Sequence, residues 1–298
     1  MSTNIIDKVG ILGMGDMGAG VAGSLIEHGV RVFSCISLRS EGSRNRAQSR
    51  RVFLKESLSE VLDEVSIFLS TVPPSVAEDL AGEVCDKLSS GSREVPLLYV
   101  DCNAISPLRT RSIEGKLRKV GADFADAGII GSPPGIVKIP RLYVSGKHSR
   151  RLCQFDEMGF KVKVQGSEIG EAPALKMFFS GLNKGFNALA TNMWVAAESM
   201  NLGDHLAEEV RFLFPPFLDR IESQIPYLPV NARRWVAEME EIANTLSSMN
   251  LPKGFHEASA EVFQMLAELD FAKETRETFD TRRTALEVAR ACALMVKS

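Results

Sequence analysis

Gly13-Met14-Gly15-Asp16-Met17-Gly18 separates an apolar run, Lys8 to Leu12, from a helical pattern that extends to about His28. No other feature limits the possible folds as much. The spacing has a chemical reason: Gly13 allows a tight turn, Gly15 lets main chain approach a pyrophosphate, and Gly18 lets the helix pack on the strand. The first N–H groups of the helix then face negative charge. Scattered glycines would carry little weight. Between a strand and a helix, at the head of a βαβ unit, they predict a dinucleotide site that uses Gly13, Gly15, Asp16, Met17 and Gly18.

The next stretch keeps this rhythm. Val30 to Ile36, Val65 to Val72, Leu97 to Val100, Phe124 to Ile130, Leu142 to Val144 and Lys161 to Val164 read as strands, with helical patterns between several of them. Ser57 and Glu60 form a capping box, Ser106-Pro107 opens a helix, and Gly29 stops the first one. An arginine-rich stretch holds Arg39, Arg44, Arg46, Arg50 and Arg51. From about Pro173 the pattern turns helical, punctuated by Pro215, Pro216, Pro226, Pro229 and Pro252. The expected architecture is an α/β domain over residues 1–168, with a parallel doubly wound sheet of the Rossmann type. An all-α domain over residues 169–298 follows it.

Composition removes other classes. The 298 residues carry a net charge of −3, which gives no reason to expect nucleic acid or an anionic membrane as partner. No apolar run approaches the length of a membrane span. The five cysteines are scattered, with no C-x-x-C, so neither a disulfide framework nor a zinc site is expected. No metal site is expected at all. The N-terminus lacks a basic-then-apolar leader, and the cytoplasm is the expected location.

The cofactor follows from the end of the second strand. NAD sites usually place an acid there for the ribose hydroxyls. This chain has Cys35-Ile36-Ser37-Leu38-Arg39-Ser40, with Glu41 beyond. Arg39, Ser40 and Arg44 suit a 2′-phosphate, so NADP is expected over NAD; the alternative is a solvated arginine loop. Thr71, Val72 and Pro73 follow a strand at the edge where dinucleotides lie.

Three segments carry a family resemblance: Val9 to Gly18, Val100-Asp101-Cys102-Asn103-Ala104-Ile105-Ser106-Pro107, and Leu175-Lys176-Met177-Phe178-Phe179-Ser180-Gly181-Leu182-Asn183-Lys184-Gly185. Together they resemble the 6-phosphogluconate dehydrogenase and 3-hydroxyisobutyrate dehydrogenase (β-hydroxyacid dehydrogenase) superfamily. The C-terminal part, with Arg234-Trp235, Glu238-Met239 and Gly254-Phe255-His256, is similar to a branch without an assigned substrate. The resemblance implies that Lys176 is the general acid and base and that Asn103 contacts nicotinamide or substrate. From the residues alone, Lys176 either snorkels from an apolar helix or works in a cleft.

The chain departs from the family pattern. Ile130, followed by Gly131 and Ser132, stands where a serine would grip substrate, and Ser180 replaces an asparagine. Asn183 replaces a glutamate, which argues against 6-phosphogluconate chemistry and for a less polar pocket. Lys184 shares the helical face of Lys176 and either binds an anionic substrate group or closes an ion pair. His256, at a helix start, is either a substrate contact or a cap.

Three functions compete. The first is an NADP-dependent dehydrogenase or reductase acting on a small hydroxy or keto acid. The second is an imine or other C=X reductase, and the third is a non-catalytic NADP-binding sensor. Trp235, Met239, Ile242, Leu246, Phe263 and Leu266 suggest more apolar surface than a small helical domain buries alone, so a homodimer is expected.

Overall fold

Val9 and Ile11 point to one side of their strand and Leu12 to the other, and this alternation builds two separate cores. The structure, a computed structural model, describes residues 6–35, 41–91, 93–136 and 138–297. Its chain divides into two units, Met1–Met177 and Phe178–Ser298.

The first unit holds one sheet. In chain order its elements are β1 (Lys8–Leu12), α1 (Asp16–Glu27), β2 (Arg31–Cys35), α2 (Glu41–Ser49), β3 (Phe53–Lys55), α3 (Leu58–Glu64) and β4 (Ile67–Ser70). There follow α4 (Ala77–Ser89), β5 (Leu98–Asp101), α5 (Pro107–Lys119), β6 (Asp123–Ile130), β7 (Arg141–Ser145) and β8 (Lys161–Gly166). The strand order is β3-β2-β1-β4-β5-β6-β7-β8. All neighbours pair in parallel except β6 and β7, which are antiparallel. The expected parallel, doubly wound sheet is therefore correct over its first six strands, and the antiparallel β7 is the departure.

One core joins Val9, Ile11, Val32, Leu69 and Val100 to Val21 and Leu25 of α1. The other joins Leu12, Phe68, Tyr99 and Phe124 to Val61, Val84 and Ile113 of α3, α4 and α5. Both faces of the sheet are covered, as parallel strands require. The caps read from sequence are present. Ser57 Oγ accepts the Glu60 N–H, Ser106 Oγ accepts the Arg109 N–H, and Gly29 takes φ +86° just beyond α1.

The helix α6 (Glu171–Ser199) starts in the first unit and enters the second, which also contains α7 (Gly203–Leu213), α8 (Pro215–Gln224), α9 (Leu228–Ser248), α10 (Gly254–Ala267) and α11 (Ala285–Lys297). Pro215 and Pro229 sit in the first turns of α8 and α9, where a missing N–H costs nothing. The helices α9 and α10 pack together, and Met239 and Ile242 of α9 and Phe263 and Leu266 of α10 are all buried. This narrows the ground given for a homodimer: four of its six residues are buried within the chain, while Trp235 and Leu246 are half-buried. The exposed apolar side chains of this unit are others, among them Leu182, Phe212 and Phe214.

Candidate active site

The ends of β1, β4, β5 and β6 share one edge because these strands run parallel. The segments that follow them are the glycine turn, Thr71-Val72-Pro73, Cys102-Asn103 and Ile130-Gly131-Ser132. Ligands of doubly wound sheets bind outside this edge, where neighbouring connections leave in opposite directions. Here that point lies between β1 and β4.

The three glycines of the turn have three different reasons. Gly13 takes φ +104°, and a Cβ there would come within 2.3 Å of the Thr71 carbonyl oxygen. A Cβ on Gly18 would meet the Gly13 carbonyl oxygen at 1.8 Å. Both are required by the protein itself. A Cβ on Gly15 would meet no protein atom within 4 Å. Gly15 is the N-cap of α1 and brings no side chain to its first N–H groups. These N–H groups and the space at Gly15 fit a pyrophosphate. Asp16 is exposed in the first turn, Met17 is half-buried, and Met14 packs into the core.

Thr71 welds the turn to β4: its Oγ1 donates to the carbonyls of Leu12 (3.0 Å) and Gly13 (2.8 Å). Arg46 of α2 holds the other side, its Nε donating to the Met14 carbonyl at 2.7 Å. Arg44 of the same helix lines a recess with Gly13, Met14, Ser34, Cys35 and Ser43. Arg44, one of the expected phosphate ligands, thus lies beside the turn, with Ser43, which the sequence reading did not name, next to it. Arg39 and Ser40 lie outside the described residues. Among the described residues that line this recess there is an arginine and no acid.

Asn103 is buried and ties two strand ends together. Its Oδ1 accepts the Val72 N–H at 2.8 Å, and its Nδ2 donates to Ser70 Oγ at 2.9 Å. Its own N–H donates to Asp101 Oδ1 at 2.8 Å. Pro73 is exposed beyond this clasp.

Lys176, half-buried near the start of α6, reaches the same edge, where its Nζ donates to the Cys102 carbonyl at 3.5 Å. Gly128 makes the approach possible, because a Cβ there would stand 2.6 Å from the Ala172 carbonyl oxygen and 3.1 Å from Lys176 Cβ. The start of α6 is capped from the sheet. Asp126 of β6 accepts the Ser145 hydroxyl and, at 2.5 Å, the Gly170 N–H. Ser145 Oγ in turn accepts the Ala172 N–H at 2.9 Å. Burial pushes the Asp126 carboxyl up to about 6, against the pull of the Ser145 hydrogen bond. Sequence reading did not find this cap, whose members become neighbours only through the antiparallel register of β6 and β7. Ile130 and Ser132 are half-buried and Gly131, at φ +127°, is exposed.

The remaining candidates lie in the helical unit. Lys184 Nζ donates to Glu238 Oε2 at 2.5 Å and to Ser180 Oγ, and stands 5.4 Å from the Trp235 ring centroid. It is thus closed in a buried ion pair. Asn183 Oδ1 accepts from Arg220 at 2.5 Å. His256 is half-buried against Gly181; desolvation lowers its pKa, and its buried Nδ1 has no hydrogen-bond partner among the described residues.

Turn, sheet edge and recess define a dinucleotide-binding protein of the NAD(P)-dependent oxidoreductase class. Residues 8–156 match the NAD binding domain of 6-phosphogluconate dehydrogenase, and the chain belongs to that family. Residues 197–266 match a domain of unknown function, DUF1932, which bears out the expected branch. An uncharacterized 28.5 kDa protein of Methanothermus fervidus is 26% identical over 263 residues, covering 88% of this chain and 99% of that protein. The mitochondrial 3-hydroxyisobutyrate dehydrogenase of Drosophila melanogaster is 25% identical over 197 residues, 65% of this chain and 58% of that enzyme. Among solved structures, the conserved protein MTH1747, described as structurally similar to 3-hydroxyacid dehydrogenases, is 27% identical. It superposes with a TM-score of 0.68 over 87% of this chain and 96% of its own.

Proposed function

We propose that the protein is an NADP-dependent dehydrogenase or reductase of the β-hydroxyacid dehydrogenase type. It would move hydride between nicotinamide and a small hydroxy or keto acid, or a related carbonyl compound. The observation that carries this reading is Lys176, brought by a capped helix to the strand edge that follows from the glycine turn. When bound, the nicotinamide supplies the hydride donor or acceptor. The turn from Gly13 to Gly18 holds the pyrophosphate, and Arg44 with Ser43 holds the ribose phosphate. Lys176 Nζ takes the substrate hydroxyl proton during oxidation and returns it during reduction. Ile130, in place of a polar side chain at the end of β6, favours a substrate less polar than a sugar phosphate.

The exposed Leu182, Phe212 and Phe214 support a homodimer formed through the helical unit. Sedimentation showing a monomer at micromolar concentration overturns that part. The odd number and scattered spacing of the cysteines in the sequence support a reducing, cytoplasmic setting.

The test is Lys176→Met, studied by single-turnover hydride transfer with the best substrate from a panel of alcohols, ketones, acids and imines. The rate falls by roughly 10²–10⁴-fold while cofactor affinity stays. A rate within a few-fold of the wild type removes the lysine from the mechanism. NADPH binding with no turnover of any panel member makes the protein a sensor.

A further inference from the structure

Asp101 has no part in the proton path just described, yet its surroundings are unusual. It is fully buried at the end of β5, and its register partner on β6 is Asp126, so two carboxyls stand side by side on neighbouring strands. Asp126 uses both oxygens in the cap of α6. Asp101 uses Oδ1 alone; its buried Oδ2 has no hydrogen-bond partner among the described residues. Such an oxygen is costly unless something offsets it.

The charged groups acting on Asp101 across the packed elements are Asp126 from β6 and Lys176 from α6. From β4 it faces neutral Ser70, its register partner. Within its own segment, burial pushes the Cys102 thiol up to about 12 and keeps the Tyr99 hydroxyl neutral. Among the described residues Lys176 is the cation that acts on it, held at the very next residue by the Cys102 carbonyl.

We infer that Asp101 is the internal counter-ion of Lys176, a positioning residue that stabilises the charge the amine acquires when it takes the substrate proton. Its bearing on rate rests on the proposed role of Lys176; the pairing itself does not. The Asp101 carboxyl is raised to about 7: burial drives it up most, with Asp126 adding to the rise, while the Asn103 hydrogen bond and Lys176 hold it down. Coupling of two titrating groups is mutual, so an ionised Asp101 favours the ammonium form of Lys176.

The experiment reads the lysine directly. Lysines of the full-length protein are reductively methylated with isotope-labelled methyl groups and titrated by NMR, with and without NADPH. The Lys176 signal is assigned by its absence from Lys176→Met. In Asp101→Asn, which keeps size and the acceptor for Asn103, the Lys176 midpoint moves down by about one pH unit. An unmoved midpoint overturns the inference. If Asp101→Asn does not fold, the reciprocal measurement decides. The Asp101 carboxyl in Lys176→Met titrates at higher pH than in wild type, and an unchanged titration overturns the pairing. The pH profile of hydride transfer in Asp101→Asn separates the two readings. If the midpoint moves and the rate profile does not, the counter-ion stands and the catalytic role of Lys176 falls.

Discussion

Lys176 and Lys184 stand eight residues apart on α6, and the two units treat them in opposite ways. In the α/β unit, Lys176 donates to a neutral main-chain carbonyl at 3.5 Å, with buried carboxyls on the adjacent strands. In the helical unit, Lys184 is pressed against Glu238 at 2.5 Å and roofed by Trp235. Burial lowers the Lys184 pKa and Glu238 opposes it. The comparison teaches that surroundings, rather than helix position, decide what a lysine does. A closed, desolvated ion pair fixes structure, whereas Lys176, at a sheet edge beside a carbonyl, is the lysine for which we propose proton exchange.

The comparison breaks first at the cofactor. Gly15→Val should abolish binding of NADPH and NADH in calorimetry while the melting temperature holds, because only ligand space is filled. Normal binding would remove the dinucleotide turn from the α/β unit and leave Lys176 without a purpose.

Next in size is Lys184→Met. Stranding Glu238 should cost about 3–5 kcal/mol in denaturant unfolding, less what Arg234, 3.2 Å from the same carboxylate, recovers. If the variant kept its stability and lost a hundredfold in turnover rate, the division of labour between the two lysines would be reversed.

A pH effect sharpens the same contrast. The folded carboxyls of Asp101 and Asp126 titrate at about 7 and about 6, above their ordinary value of 3.8. Well below pH 3.8 the folded and unfolded forms are both protonated. Between pH 5 and pH 8 the unfolded chain has already lost these protons while the folded carboxyls give theirs up late, so stability falls across this window, by on the order of 2–4 kcal/mol. Thermal unfolding at pH 5 and pH 8 should show this loss in wild type and a flatter response in Asp101→Asn. Equal slopes would mean that Asp101 is not a strained acid.

The smallest expected effect is Arg44→Ala. It should weaken NADPH binding by about 1.5–3 kcal/mol and leave NADH nearly unchanged. Equal losses for both cofactors would assign the recess to something other than a 2′-phosphate.

How much of this was legible in the sequence depends on how local each feature is. The turn, β1 and α1 announce themselves because glycine spacing and apolar pattern agree over a few residues. In contrast, α2 buries only Ala47, so it gave no periodic signal, and β3 is three residues long. The reversed direction of β7 leaves no trace in an alternating pattern. For Lys176 the apolar helix leaves a snorkelling and a cleft reading open, and the choice between them comes from the family resemblance. The lysine's neighbours Asp101 and Asp126 became a pair only when the register set them side by side. Glu238 lies fifty-four residues from Lys184, and no spacing rule connects them.

Gly15 has a consequence for the history of the chain. Its main-chain angles, φ −70° and ψ −176°, suit any residue. A serine there would give α1 the side-chain cap it lacks and should strengthen the helix start by a few tenths of a kcal/mol. The protein forgoes that gain. A stability-driven redesign would select Gly15→Ser early and, in doing so, narrow the approach of a phosphate. At this position the pressure to be durable and the pressure to bind pull the same residue in opposite directions.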